Sequence, residues 1–206
     1  MQKVFGMNQG LFAFFCKESF MTITELNDCL ERSPVISAVQ DNLWDEALKS
    51  PSEVIFYLKA NISTLQKKVQ EAHDLGKYIF VHIDLAEGIG KDKAGVEFLY
   101  SCGVDGVIST RNQMIKLARE FNMLTVQRFF ALDSQGLESM HELFEISKPD
   151  MAEIMPGVIS KIIKRLSNGS KPVIAGGLIE TKAEVTDAIT SGAIAVSTGN
   201  KELWYI

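Results

Sequence analysis

Charged side chains stand at the ends of several apolar segments of the sequence, where they could meet a small polar molecule. Asp84 and Glu87 follow the segment FVHI, Arg128 closes TVQR, and Glu153 interrupts the apolar run MAEIM. A buried charge is costly unless it is paired, so Arg128 is expected to meet an anionic ligand or a carboxylate such as Asp84 or Glu153. These groups suit either ligand binding or acid–base chemistry.

Two turns near the end of the sequence have the composition of a phosphate site. Each follows a short apolar run, and together they contain Gly176, Gly177, Ser197, Thr198 and Gly199. Glycine lets backbone N–H groups approach an anion without interference from a Cβ atom, so the two turns could converge on one phosphate. Two ordinary turns with no ligand are the alternative interpretation.

The elements that must position these groups form a regular alternation of strands and helices. Apolar, buried-type strands are predicted at 34–39, 54–58, 78–83, 106–108, 124–129, 151–155, 173–175 and 194–196. Eight βα units favour a closed α/β barrel, the (β/α)8 or TIM barrel, over an open doubly wound sheet. In that barrel the strand ends carry the functional groups, and phosphate commonly binds after strands seven and eight beside a short extra helix, here predicted at 200–204.

Helix-start signals support this division of the chain. Thr22 with Glu25, and Thr181 with Glu184, have the three-residue spacing of a capping box. Pro156 is expected near the start of the helix after strand six, because proline is favoured in the first helical turn.

Composition limits the classes of protein to be considered. The chain has 206 residues, 46% of them hydrophobic, and a formal net charge of −5, so nothing indicates a general affinity for nucleic acid. The three cysteines have no CxxC spacing and favour a reducing, cytoplasmic compartment. No apolar run approaches the ~20 residues of a membrane span. We expect residues 1–20 to be a tail or an upstream extension, and 21–206 to be a single, compact barrel domain with short loops.

Blocks of sequence at successive strand ends resemble one known family. VHIDLAEG, GVISTR, QRFFALDS, EIMPG, AGGLIET and STGNKELW are similar, in this order, to the glycerol uptake operon antiterminator regulatory proteins, and the resemblance spans about 33–204. It implies a cytoplasmic TIM-barrel regulator that senses glycerol 3-phosphate and acts on the leader mRNA of glycerol-utilisation genes. One departure is Gly199, where family members often carry a further serine.

Together, the strand-end charges and the resemblance predict a ligand site without a metal or cofactor. The two glycine turns would hold the phosphate, and Asp84, Glu87, Arg128 and Glu153 would line the cavity and meet hydroxyl groups. An isomerase or synthase acting on a phosphosugar is the alternative, with His82, Asp84 and Glu153 as acid and base. The short loops leave little room for a lid and favour a protein that is not an enzyme. A barrel that binds a metabolite and a protein partner, without RNA, is a third possibility.

A basic cluster is the candidate RNA surface. Lys161, Lys164 and Arg165 are spaced i, i+3, i+4, which places them on one helix face, and Lys171 follows beyond the next turn. Phosphate neutralisation supplies most of the affinity of a protein for nucleic acid. A cluster of only three or four cations would bind RNA weakly. We therefore expect a homodimer that presents two such clusters. The alternative is an ordinary solvated face.

Overall fold

The eight predicted strands form a closed parallel barrel. A computed structural model describes residues 21–131, 134–169 and 171–206. Each strand pairs in parallel with the next, and the eighth pairs with the first. The strands are β1 (Val35–Val39), β2 (Val54–Tyr57), β3 (Tyr78–His82), β4 (Gly106–Ser109), β5 (Leu124–Phe130), β6 (Met151–Met155), β7 (Val173–Gly176) and β8 (Ala195–Thr198). The predicted TIM barrel is confirmed.

One helix precedes the first strand, and a helix follows each of the first seven strands on the outside of the barrel. They are α1 (Ile23–Arg32), α2 (Trp44–Lys49), α3 (Leu65–Asp74), α4 (Lys93–Ser101), α5 (Asn112–Glu120), α6 (Ser134–Ser147), α7 (Ser160–Ser167) and α8 (Lys182–Thr190). Short 3-10 helices occupy Asp41–Leu43, Ile83–Leu85 and Lys201–Tyr205. The last of them is the extra helix that the sequence predicts after β8. Within the described residues, no helix is long and apolar enough to cross a membrane.

The barrel interior changes from apolar to polar along the strands. Phe56, Phe80 and Ile108 belong to the interior apolar cluster, and Leu26 and Leu30 of α1 pack against it from the N-terminal end of the barrel. Side chains alternate between the two faces of a strand, so the residues two positions further along also point inward. The inward positions near the C-terminal ends of four strands are polar, and they are His82, Arg128, Glu153 and Ser197.

Local capping signals explain where two helices begin. Both predicted capping boxes are present, at Thr22 before α1 and at Thr181 before α8. The prediction for Pro156 is wrong, because α7 begins only at Ser160. The Met155–Pro156 peptide bond is cis, and the N–H of Gly157 donates to the carbonyl of Gly176 at 2.6 Å. This hydrogen bond joins the loop after β6 to the end of β7. The loop continues to residue 159, and α7 follows it.

Candidate ligand-binding site

A cavity of about 780 Å³ lies at the C-terminal end of the barrel. Its wall comes mainly from the ends of β1, β2 and β5 to β8. The lining residues are Ala38, Gln40, Asn42, Leu43, Leu58, Arg128, Glu153, Met155, Gly177, Leu178, Ile179, Glu180, Ser197, Thr198, Gly199 and Asn200. Six of the nine predicted site residues are therefore brought together in one wall.

A buried ion pair forms the floor of this cavity. Arg128 Nε donates to Glu153 Oε2 at 2.6 Å, and Ser197 Oγ donates to Glu153 Oε1 at 2.5 Å. Arg128 and Glu153 are adjacent in the ladder between β5 and β6, and the carboxylate is fully buried. The sequence allowed either an anionic ligand or a carboxylate as the partner of Arg128. In the structure the partner is the carboxylate of Glu153. The pair uses the Nε proton, so the Nη groups are the donors that Arg128 has for a ligand.

Gly176 is required for the packing around that floor. A Cβ atom at Gly176 would lie 2.6 Å from Glu153 Oε1 and 2.7 Å from Ser197 Oγ. Gly176 does not line the cavity itself. Its role in this arrangement is to leave room for the hydrogen bond between Ser197 and Glu153.

Hydrogen bonds join the turn after β7, residues 177–180, to the turn after β8, residues 199–200. We call these two turns the ledge. Thr198 Oγ1 donates to the carbonyl of Ile179 at 2.8 Å, and Asn200 Nδ2 donates to the carbonyl of Glu180 at 3.0 Å. Gly177 has a φ of 74°, in the left-handed region that glycine tolerates without strain. Side-chain hydrogen bonds thus hold the two turns together, and their convergence on one phosphate stays a prediction.

The hydroxyl protons beside the ledge are already used within the protein. Ser197 donates to Glu153 and Thr198 donates to Ile179. Of the charged residues in the lining, Arg128 is positive and Glu153 and Glu180 are negative, which gives a formal sum of −1. An anion at this ledge would therefore rely on backbone N–H groups more than on the serine and threonine hydroxyls.

Asp84 lies beyond the end of β3 and outside the cavity lining. The strand ends at His82, and the 3-10 turn that follows directs the Asp84 carboxylate to the end of β4. There Asp84 accepts from Ser109 Oγ at 2.8 Å, from Thr110 N at 2.7 Å and from Thr110 Oγ1 at 2.9 Å. Burial opposes ionisation of Asp84, but these hydrogen bonds outweigh it and lower the pKa of the carboxyl. Asp84 thus cross-links the ends of β3 and β4.

Glu87 is also outside the cavity lining. Its exposed carboxylate pairs with Lys59 at 2.9 Å and accepts from Asn61 Nδ2 at 3.3 Å. The hydrogen bond from Lys59 lowers the pKa of Glu87. These contacts tie the loop after β3 to the loop after β2.

His82 belongs to the polar interior layer, although it does not line the cavity. Only 3% of the residue is exposed, and burial, followed by the charge of Arg128, lowers its pKa to about 4. The imidazole is therefore neutral at neutral pH. Across the described residues, no group of three or more potential metal-ligating side chains is arranged to hold an ion.

Several polar lining residues were not predicted from the sequence. Gln40 and Asn42 follow β1, while Glu180 and Asn200 flank the two glycine turns. These residues lie in the loops that follow predicted strands. Since those loops meet at one face of a barrel, their position could have identified them as site residues.

The predicted basic cluster lies on the outer face of α7. Lys161, Lys164 and Arg165 are exposed, whereas Ile162, Ile163 and Leu166 on the other side of the helix are buried in the core. Within the described part of the chain, the ion pairs of the protein involve none of these three cations. Among the described residues, the face is thus a basic surface without ion pairs, and its role in RNA binding stays a prediction.

The sequence profile of one protein family covers nearly the whole barrel. Residues 35–204 match the glycerol-3-phosphate responsive antiterminator family. The chain belongs to this family. A crystal structure of a glycerol uptake operon antiterminator regulatory protein from Listeria monocytogenes is 35% identical, with a TM-score of 0.78 over 82% of this chain and 94% of that one.

Two further relatives are similar to most of this chain. A glycerol uptake operon antiterminator-related protein from Thermotoga maritima is 30% identical, with a TM-score of 0.75 over 84% of this chain and 98% of that one. An uncharacterized protein of Escherichia coli K12, YgcP, is 35% identical over 178 residues, which are 85% of this chain and 93% of that protein. A deoxyribose phosphate aldolase from Aeropyrum pernix, 14% identical with a TM-score of 0.64, shares the fold alone.

Proposed function

We propose that this protein binds glycerol 3-phosphate in the cavity and acts, in the cytoplasm, as an antiterminator on the leader mRNA of glycerol-utilisation genes. One observation carries the proposal. The cavity lies between the joined turns after β7 and β8 and a floor built from Arg128, Glu153 and Ser197. A barrel uses the same two turns to bind phosphate in many proteins, and the family description supplies the identity of the ligand.

The two parts of the cavity suit the two ends of this ligand. Backbone N–H groups of the turns around Gly177 and Gly199 would hold the phosphate, because nothing but hydrogen projects from the α-carbon of glycine. Arg128 and Glu153 would meet the hydroxyl groups, which both donate and accept hydrogen bonds. Glycerol, without the phosphate, would lose the charged interaction with the ledge.

Thermal unfolding in the presence of ligand tests this assignment. At a concentration of a hundred times the dissociation constant, a ligand stabilises the folded state by about 2.7 kcal/mol, which raises the melting temperature by about 5–10 °C for a chain of this size. Gly177→Asp should abolish the rise because it places a like charge at the phosphate. Gly177→Asn is the matched control, since it has almost the same shape, tolerates a positive φ and adds no charge. Equal stabilisation by glycerol and by its phosphate would contradict the proposal.

The contacts of Glu153 favour a regulator over an enzyme. Both oxygens of this carboxylate already accept hydrogen bonds, from Arg128 and from Ser197. Each oxygen keeps a further lone pair for a ligand hydroxyl group, but the contact with Arg128 holds the carboxylate as a fixed part of the floor. We therefore propose that the protein does not convert its ligand, and conversion of bound glycerol 3-phosphate that is lost in Glu153→Gln would contradict this.

The α7 face is the proposed RNA surface. Lys161, Lys164 and Arg165 are exposed on it, and the half-buried Lys171 lies in the loop between α7 and β7. Each contact between a cation and a phosphate releases counterions, so affinity for RNA falls as salt rises. Three or four such contacts are few, and we propose a homodimer that presents two patches to one transcript.

Charge reversal of the first three cations to glutamate tests the RNA surface. Binding of leader RNA should weaken, and its dependence on salt should become shallower, while the thermal stabilisation by glycerol 3-phosphate persists. Reversal of Lys116 and Arg119 on α5, two exposed cations elsewhere on the barrel, is the matched control. If the α7 variant binds RNA like the parent across the salt series, the face has no role in RNA recognition.

A further inference from the structure

His82 carries a buried nitrogen whose hydrogen bonding is incomplete. Within the residues that the structure describes, Nδ1 of His82 is the buried side-chain nitrogen or oxygen atom without a hydrogen-bond partner. The whole residue is only 3% exposed. Buried polar atoms in folded proteins are almost always paired, so this exception requires a physical explanation.

The position of His82 connects it to the ligand cavity. Phe80 faces the interior core, and His82, two residues later on β3, lies on the same face. Val81 pairs with Tyr57, which places His82 next to Leu58, a residue of the cavity wall. The imidazole therefore lies beside the cavity and in the same layer as its polar floor.

The charges around the ring keep it neutral. Arg128 from β5, Glu153 from β6 and Asp84 from the turn after β3 all act on it electrostatically. Burial and the positive charge of Arg128 together outweigh the two carboxylates, so the imidazole has one donor and one acceptor nitrogen at neutral pH. A hydroxyl group, which donates and accepts, matches such a ring. A phosphate dianion, which only accepts, does not.

We propose that His82 is a specificity-determining residue that recognises a hydroxyl group of the ligand through Nδ1, so that the polyol end of the ligand points to the floor of the cavity. This inference rests on the proposed function. The orientation follows from Glu153, whose buried carboxylate would repel a phosphate at the floor but can accept from a hydroxyl group. Because His82 is buried and does not line the cavity, the contact requires the imidazole to move toward the ligand.

Calorimetric titration of two ligands separates this role from a structural one. The ligands are glycerol 3-phosphate and n-propyl phosphate, which keeps the phosphate and lacks both hydroxyl groups. His82→Phe removes the polar atoms and keeps a planar ring, and His82→Asn keeps an amide near the position of Nδ1. We expect His82→Phe to bind glycerol 3-phosphate about tenfold more weakly, with n-propyl phosphate unchanged within about twofold, and His82→Asn to retain most of the preference.

Melting temperatures without ligand complete the test. Nδ1 has no partner to lose, so His82→Phe should unfold within a few degrees of the wild type. Equal weakening of both ligands by His82→Phe, or an unchanged preference for glycerol 3-phosphate, would overturn the inference and leave the proposed function intact. Wild-type protein that binds neither phosphate would overturn the proposed function, and the inference with it.

Discussion

Replacing Gly176 with alanine tests how rigidly the cavity floor is built. The added methyl group would lie 2.6 Å from Glu153 Oε1 and 2.7 Å from Ser197 Oγ, much closer than carbon and oxygen approach in a packed interior. Neither oxygen atom can move away freely, because the two are hydrogen-bonded to each other at 2.5 Å and Glu153 is also hydrogen-bonded to Arg128. The substitution should therefore force the hydrogen bond between Ser197 and Glu153 apart.

The expected change in stability combines two destabilising effects and one stabilising effect. Overpacking a rigid interior costs about 1–3 kcal/mol, and loss of a hydrogen bond to a charged group costs about 1.5–3 kcal/mol. The lower entropy of the unfolded chain with alanine returns about 0.4–1 kcal/mol. We expect the free energy of unfolding of Gly176→Ala to fall by about 2–4 kcal/mol, measured by urea denaturation.

Gly199→Ala is the matched control at the same mouth of the barrel. Its Cβ atom would meet only the carbonyl oxygen of Ala38, at 3.4 Å, which is an ordinary contact. The free energy of unfolding of this variant should stay within about 0.5 kcal/mol of the wild type. If Gly176→Ala is as stable as Gly199→Ala, the side chains of the floor rearrange at little cost and the packing argument is wrong.

Two further predictions concern the buried ionisable groups. Arg128→Met should lower the free energy of unfolding by about 3–5 kcal/mol because it leaves the buried carboxylate of Glu153 unpaired, and adding Glu153→Gln should recover part of the loss in denaturation experiments. The pKa of His82 is lowered to about 4, so the folded state binds this proton less readily than the unfolded state. Stability should therefore fall as the pH drops from about 6.5 to about 4, by about 2 kcal/mol at pH 5. His82→Asn should lack this part of the acid sensitivity in urea denaturation at each pH, and identical pH profiles for both proteins would contradict the assignment.

Much of the barrel could be predicted because its signals are local. Apolar strands and the capping box of Thr181 with Glu184 each occupy a few consecutive residues, and every strand appears near its predicted position. Pro156 shows the limit of such signals. It is favoured at helix starts, but here a contact between Gly157 and the distant Gly176 delays the helix.

The site was only partly predictable because its contacts join distant parts of the chain. The sequence identified Arg128 as a charge that needs a partner, and only the pairing of β5 with β6 decides that the partner is Glu153. Asp84 was expected to line the cavity, but β3 ends before it and its carboxylate accepts hydrogen bonds from the end of β4. Sequence spacing does not show at which residue a strand ends. The end of β3 at His82 determines the position of Asp84.

Transcription of a leader template in vitro tests the central claim most directly. The template is the leader of the glycerol-utilisation genes from the genome that encodes this chain, and the readout is the fraction of transcripts that pass the terminator. With the wild-type protein, read-through should rise with the concentration of glycerol 3-phosphate, and Gly177→Asp should remove the response while Gly177→Asn retains part of it. Read-through that is the same with and without glycerol 3-phosphate would contradict the claim that this cavity controls antitermination.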